Sequence, residues 1–550
     1  MKLFFWILVT AIAVALPAQG PETTERRLSN GMRVLVVERP SSGMVHAALF
    51  VRGGRSDSGG LPPSAVEVLT RSLFGRCMPV DLSPETEVIV HKEEALYESM
   101  RRETLQRSRS EPGASPPEVA ALHAQALARL KTEFGDTTSL DILEQLGVTG
   151  RITHTNADFI STSFDLPASQ LEPWARLEAK LLNQMNLYRF PLERERWLED
   201  LRRSALADSG LSPLLGSAFV GQPYASAMDE NQGAIAGLTR ADTKALAARL
   251  FAPERLLLVM VGDISSESIV PILETTFGRL KGDSKPESIA SSSTPSMSTL
   301  RLQVSQFAHP RIYMGWRVPP ASAPDTLALA LAARVLGQRF SGRLQNLVDH
   351  GLARSVKTEL GVPGARALNL LLITAEPQQD HSLAELEMAL RGEILRLTEE
   401  LVPGDEFQKA LNQIELQNLS TEEDPAALAA TLGAGWAVLG DWRQAFIPAK
   451  QLQQIRPEEI QRVARLHLSM DRVIIGIVKA DRSLSEDPLD HKLAQALRAL
   501  ALRKGVEPAK AETLVHEGLR QLQMLPRDQR AATLKLLDPT FKDLKSKETP

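Results

Sequence analysis

A disulfide framework is excluded, because the 550 residues contain a single cysteine, Cys77. A lone thiol of this kind reads as a small hydrophobe rather than a nucleophile. Aromatic residues with a polar edge are scarce, with 4 tyrosines and 6 tryptophans, too few for a platform that stacks sugars or bases. Neither sign of charge dominates. The formal net charge of −4 gives no footprint for nucleic acid. Long apolar runs are missing beyond residue 16, so no later segment is expected to cross a membrane. There is no Gly-x-Ser-x-Gly elbow and no phosphate-binding Gly-rich loop with Lys and Ser/Thr. Ser64, His154 and Asp158 can be drawn as a triad, but they read as a helix-start serine and two loop polars. The histidines are His46, His91, His123, His154, His309, His350, His381, His467, His491 and His516. No two lie within four residues, so no helix presents a histidine pair to a metal.

What is present points to an exported chain of more than one domain. Lys2 precedes an apolar run from Leu3 to Leu16, and Ala18-Gln19-Gly20 offers small residues for cleavage. This predicts a signal peptide over 1–20, with a periplasmic or secreted mature chain and no transmembrane segment after cleavage. An uncleaved anchor is the alternative. The spacing predicts strands at 34–37, 45–51, 160–166, 256–261, 311–318, 368–374 and 473–478. It predicts helices at 171–186, 192–206, 324–336, 383–400 and 405–419. Asn30-Gly31 reads as a turn. Residues 84–144 are helical in composition. A Ser/Pro-rich stretch at 282–299 reads as a linker. A strand-helix-helix-strand pattern on both sides of it suggests a duplicated unit. The expected domains are 21–281, the 282–299 linker, 300–480, and a charged helical tail at 481–550.

Several segments, taken in order, resemble the pitrilysin/insulinase family of zinc peptidases. LSNGMRVLVVERP (28–40) resembles the opening of a family lobe, and LLLVMVGDI (256–264) the strand that closes the first. SGRLQNLVDHGLARSV (341–356) resembles the second-lobe signature, and GDWRQAF (440–446) with QQIRPEEIQRVARLHL its close. The likeness runs over about residues 24–480. It implies an α+β architecture of two homologous α/β lobes, each a mixed or antiparallel sheet with helices packed on it. The helical stretch at 84–144 resembles an insert of exported two-lobe bacterial members.

Active members are implied to carry H-x-x-E-H on a first-lobe helix, two histidines on one face binding zinc and a glutamate activating its water. In the matching helix, 60–74, those positions hold Glu67, Thr70 and Arg71. The third-ligand position falls on Asp200, beside Glu199. The second-lobe residues implied to hold substrate correspond to Asp349 or His350, and to Arg354. The substrate-edge segment reads Ile152-Thr153-His154-Thr155. No zinc, catalytic residue or other cofactor is therefore expected. The resemblance implies a non-catalytic lobe pair whose partner is an active paralogous peptidase subunit. An active zinc endopeptidase with a differently placed site, and a stand-alone scaffold holding peptides between the lobes, are the alternatives.

Glu67 and Arg71 stand i, i+4 on one helical face, with Asp200 on the helix opposite. Two carboxylates without a metal need a cation between them, and a guanidinium can fork between both. Two outcomes are open: an ion cluster with Arg71 within about 6 Å of Asp200, or a solvated Glu67–Arg71 pair.

Overall fold

The structure, a computed structural model, describes residues 22–39, 43–75, 139–185, 187, 190–205, 210–228, 231–282, 298–306, 309–337, 342–446 and 449–480. It adds scattered helical positions within 88–128 and 489–537. The expected signal peptide, Cys77, nearly all of the expected insert and linker, and most of the tail lie outside the described residues.

Two sheets organise the chain. The first contains β1 (Thr24–Arg27), β2 (Arg33–Glu38), β3 (Met44–Val51), β4 (Thr149–Thr155), β5 (Ile160–Pro167) and β6 (Leu256–Gly262), in the order β1-β2-β6-β3-β5-β4. The second contains β7 (Leu300–Gln306), β8 (Arg311–Val318), β9 (Ala353–Val362), β10 (Asn369–Pro377) and β11 (Ile474–Ala480), in the order β7-β11-β8-β10-β9. In each, the final strand of the lobe lies parallel to the first long one, and the other pairings are antiparallel. Apart from β1 the two topologies are the same, which places β4 and β9 at equivalent free edges. The Asn30-Gly31 turn joins β1 to β2. Gly31 takes φ 93°, a left-handed conformation that costs glycine nothing.

The helices used below are α1 (Ser64–Phe74), α2 (Leu171–Gln184), α3 (Phe190–Ala205), α4 (Leu211–Ala218), α5 (Pro223–Ala227), α6 (Arg240–Leu250) and α7 (Ser266–Thr275). The second half adds α8 (Thr326–Gly337), α9 (Gln345–Asp349), α10 (Leu383–Glu399), α11 (Gly404–Glu423), α12 (Pro425–Leu439) and α13 (Pro457–His467). Helix α1 begins at Ser64, not at residue 60. Gly59 and Gly60 have φ of 64° and 85°, and the Pro62-Pro63 pair keeps the residues before it out of helical geometry.

Strand residues alternate between two faces, and both faces of both sheets are buried. One face of the first sheet (Val34, Val36, Ala47, Leu49, Leu258 and Met260) meets α1, α2, α3, α6 and α7. Its other face (Leu35, Val37, Ala48, Phe50, Leu257, Val259 and Val261) is covered by α12 of the second half, through Leu428, Leu432 and Trp436. The second sheet shows the reverse. Its Ile312, Met314, Trp316 and Ile373 pack on α8, α10 and α13. Its Tyr313, Leu370, Leu372 and Val478 pack on α4 and α5 of the first half, through Leu214, Leu215 and Tyr224. Each half therefore lends a helix to the far side of the other's sheet. Gly433 makes the closest approach: a Cβ there would lie on the Phe50 ring. Among the described residues no helix is long and apolar enough to cross a membrane.

Candidate functional site

Helices α1 and α3 lie side by side, and the residues singled out in the sequence meet between them. Arg71 Nε donates to Glu67 Oε1 at 3.2 Å, and Arg71 Nη1 donates to Asp200 Oδ2 at 2.7 Å. The guanidinium lies over the Trp197 ring, 4.5 Å from its centroid, and Arg55 approaches the same ring at 5.7 Å. Arg55 also stands 3.7 Å from Glu67 Oε2. Of the two outcomes left open by the sequence, the ion cluster is the one formed. Burial works to lower the pKa of Arg71, but hydrogen bonds to Asp200 and Glu67 outweigh it and hold the pKa above its ordinary value. Thr70 is buried, and its hydroxyl donates to the Val66 carbonyl at 2.6 Å, closing on its own helix. Thr155, at the end of the edge strand β4, touches it at 3.4 Å.

These residues do not fit a zinc ion. A metal needs lone pairs converging on it, whereas the centre between Glu67 and Asp200 is filled by a permanent cation. Among the described residues no three His, Cys, Asp or Glu side chains gather to hold a metal.

The cluster is half open: side-chain exposure is 33% for Arg71, 17% for Glu67 and 40% for Asp200. It falls between a solvated pair, worth about 0–1 kcal/mol, and a buried one, whose breaking costs about 3–5 kcal/mol. Arg71→Ala should therefore cost about 1–1.5 kcal/mol in denaturant unfolding, part of it from the lost contact with Trp197. A loss of only a few tenths would show that solvent already screens the pair.

The second-lobe candidates do not join this cluster. Asp349 accepts from Gln345 at 3.0 Å, and His350 Nδ1 lies 2.7 Å from the Asn346 carbonyl, both within their own helical turn. Arg354 lies 3.9 Å from Glu376 on the neighbouring strand. The second lobe instead sends Arg366, from the β9–β10 loop, which sequence reasoning missed. Its guanidinium bonds Asp57 and Ser56 of the first lobe, and its Nε donates to Asp158 Oδ1 at 3.2 Å. Asp158 belongs to the β4–β5 loop, so the equivalent loops of the two lobes meet. Asp158 Oδ2 also accepts from the Ala365 and Arg366 amides, and Oδ1 from the Tyr224 hydroxyl at 2.6 Å. Burial first, and then Asp158, push the Tyr224 pKa far above its ordinary value, so it stays a donor. Asp158 is a loop polar, as read, but it is 1% exposed. The short turn Arg55–Asp57 links the two clusters, Arg55 facing Glu67 and Asp57 facing Arg366.

Two sheets of like topology, each backed by helices of both halves, define a two-lobed α+β scaffold with the Arg71 ion cluster between α1 and α3. Residues 237–414 match the family model described as the peptidase M16 inactive domain. An uncharacterized zinc protease of Mycobacterium bovis is 26% identical over 301 residues, covering 52% of this chain and 66% of that protein. The chain spans 40–66% of the length of the curated relatives it matches. Among solved structures, a protease from Helicobacter pylori superposes with TM-score 0.64 at 16% identity, covering 84% of this chain and 100% of that one. A peptidase M16 inactive domain from Pseudomonas fluorescens gives 0.60 at 18%, covering 83% and 98%. The fold is that of M16-like, pitrilysin/insulinase-type peptidases, and residues 237–414 carry the sequence match to that family.

Proposed function

We propose that this chain is the non-catalytic subunit of an exported zinc peptidase, pairing with an active paralogue and helping to hold its peptide. The observation that carries the reading is Arg71. A guanidinium tied to Glu67 and Asp200 occupies the place where the chemistry needs a metal, and Thr70 has no acid or base to offer its water. The match of residues 237–414 to a peptidase M16 domain model supports the family part of the reading. Export is part of the proposal and is supported by Lys2 and the apolar run Leu3 to Leu16.

The purified mature protein should contain no stoichiometric zinc and cleave no peptide, and it should co-purify from its native envelope with a homologue bearing H-x-x-E-H. One zinc per chain with chelator-sensitive cleavage would overturn the non-catalytic assignment. Recovery without any such homologue would overturn the pairing.

A further inference from the structure

A cleft of about 900 Å³ opens at one end of the second sheet, within the upper part of the size range for small-ligand sites, roughly 300–1,000 Å³. Four separate stretches of chain converge on it: His309 and Pro310 ahead of β8, Arg354 from β9, Glu376 to Ala384 running from β10 through the following loop into α10, and Lys479 from β11.

The carboxylate that lines the cleft, Glu376, is already engaged. Glu376 Oε1 accepts from Arg311 Nη2 at 2.6 Å and from Nε at 3.1 Å. Glu385, one turn into α10, folds back to accept from the Ser382 amide at 2.8 Å in a capping box. Arg354 reaches Glu376 only at 3.9 Å, and Lys479 has no ion-pair partner among the described residues. The cleft thus presents two cations beside a single lining carboxylate, Glu376, that Arg311 already pairs. Gln378, Gln379 and Ser382 supply uncharged donors and acceptors suited to peptide amides. The volume is far more than a single phosphate ion fills.

We infer that this cleft binds an acidic peptide segment, its carboxylates paired with Arg354 and Lys479. The inference rests on the peptide-holding part of the reading above and names the class of peptide. In a titration of the full chain with a fluorescent hexapeptide bearing two glutamates, the expected result is binding at least about tenfold tighter than for the glutamine counterpart. Arg354→Ala and Lys479→Ala should each weaken it about 2–5-fold, as loss of a largely exposed charge pair implies. Both side chains are solvent-exposed, so the variants should keep the parent's thermal midpoint. Equal affinity for the two peptides, unchanged binding in the double variant, or phosphate binding without peptide preference would each overturn the inference. Retained co-purification with an active homologue in those cases would leave the pairing standing, and its loss would sink the pairing alone.

Discussion

Produced separately, residues 22–282 and 298–480 should each fail to fold, and produced together they should reassemble into the native pair. The reason is the exchange of helices between the lobes. Without the second half, the first sheet exposes Leu35, Val37, Ala48, Phe50, Leu257, Val259 and Val261, all of them 3% exposed or less in the whole chain. Without the first half, the second sheet exposes Tyr313, Leu370, Leu372 and Val478. Fully burying one large apolar side chain contributes about 1.5–3 kcal/mol. Losing the cover over either face therefore costs on the order of 10 kcal/mol, comparable with the whole stability of a domain, about 5–15 kcal/mol. Each half alone should bind a hydrophobic dye, aggregate on size exclusion and show no cooperative transition. Co-expressed halves should elute as one species with the circular dichroism of the intact chain. A monomeric half that melts cooperatively on its own would show that the shared helices are accessory.

What the sequence displayed and what it hid follow from the same exchange. Strands such as Val45 to Val51 and Arg311 to Val318 were legible because each is a short, mainly apolar run that includes β-branched and aromatic residues and has turn signals beside it. Helices α2, α3 and α10 were legible by their amphipathic spacing. Helix α12, PAALAATLGAGWAVL, was missed because the residues outside its buried stripe of Leu428, Leu432 and Trp436, such as the exposed Ala430, are nearly as apolar as the stripe itself, so the sequence shows no periodic face. The edge strands β4 and β9 were missed for the opposite reason. Their residues are mostly half-exposed or exposed, so neither hydrophobic alternation nor an apolar run marks them. At the site, Glu67, Arg71 and Asp200 could be placed from the resemblance, since the helical frame fixes i, i+4 neighbours. Arg366 could not. It lies in a Gly/Ala/Pro loop, and its partners Asp57 and Asp158 are 309 and 208 residues away. No local pattern encodes a pairing of that range.

Arg366→Met should be the most damaging single substitution of a charged residue described here, at about 3–5 kcal/mol. Side-chain exposure is 7% for Arg366, 7% for Asp57 and 2% for Asp158, so solvent cannot screen the charges left behind. Asp57 would keep Arg255, 3.2 Å away. Asp158 would keep only the Tyr224 hydroxyl and backbone amides, with no cation, which makes it the stranded charge. Neutralising that charge should restore part of the loss. Asp158→Asn on its own removes an acceptor from Arg366, Tyr224 and the two loop amides, yet in the double variant it also removes the unpaired carboxylate. The two changes should therefore be clearly less than additive, with a coupling of about 1–3 kcal/mol in urea unfolding. The exposed pair Arg396–Glu393, at 55% and 16%, supplies the contrast: Arg396→Met should cost no more than a few tenths of a kcal/mol. If Arg366→Met cost as little as that, the meeting of the two hairpin loops would be a contact between lobes already held by α4 and α12. A large loss with strong coupling would instead make the charge pairing across the lobes a second fastening, independent of the exchanged helices, and one that directly adjoins the Arg55–Glu67–Arg71 cluster.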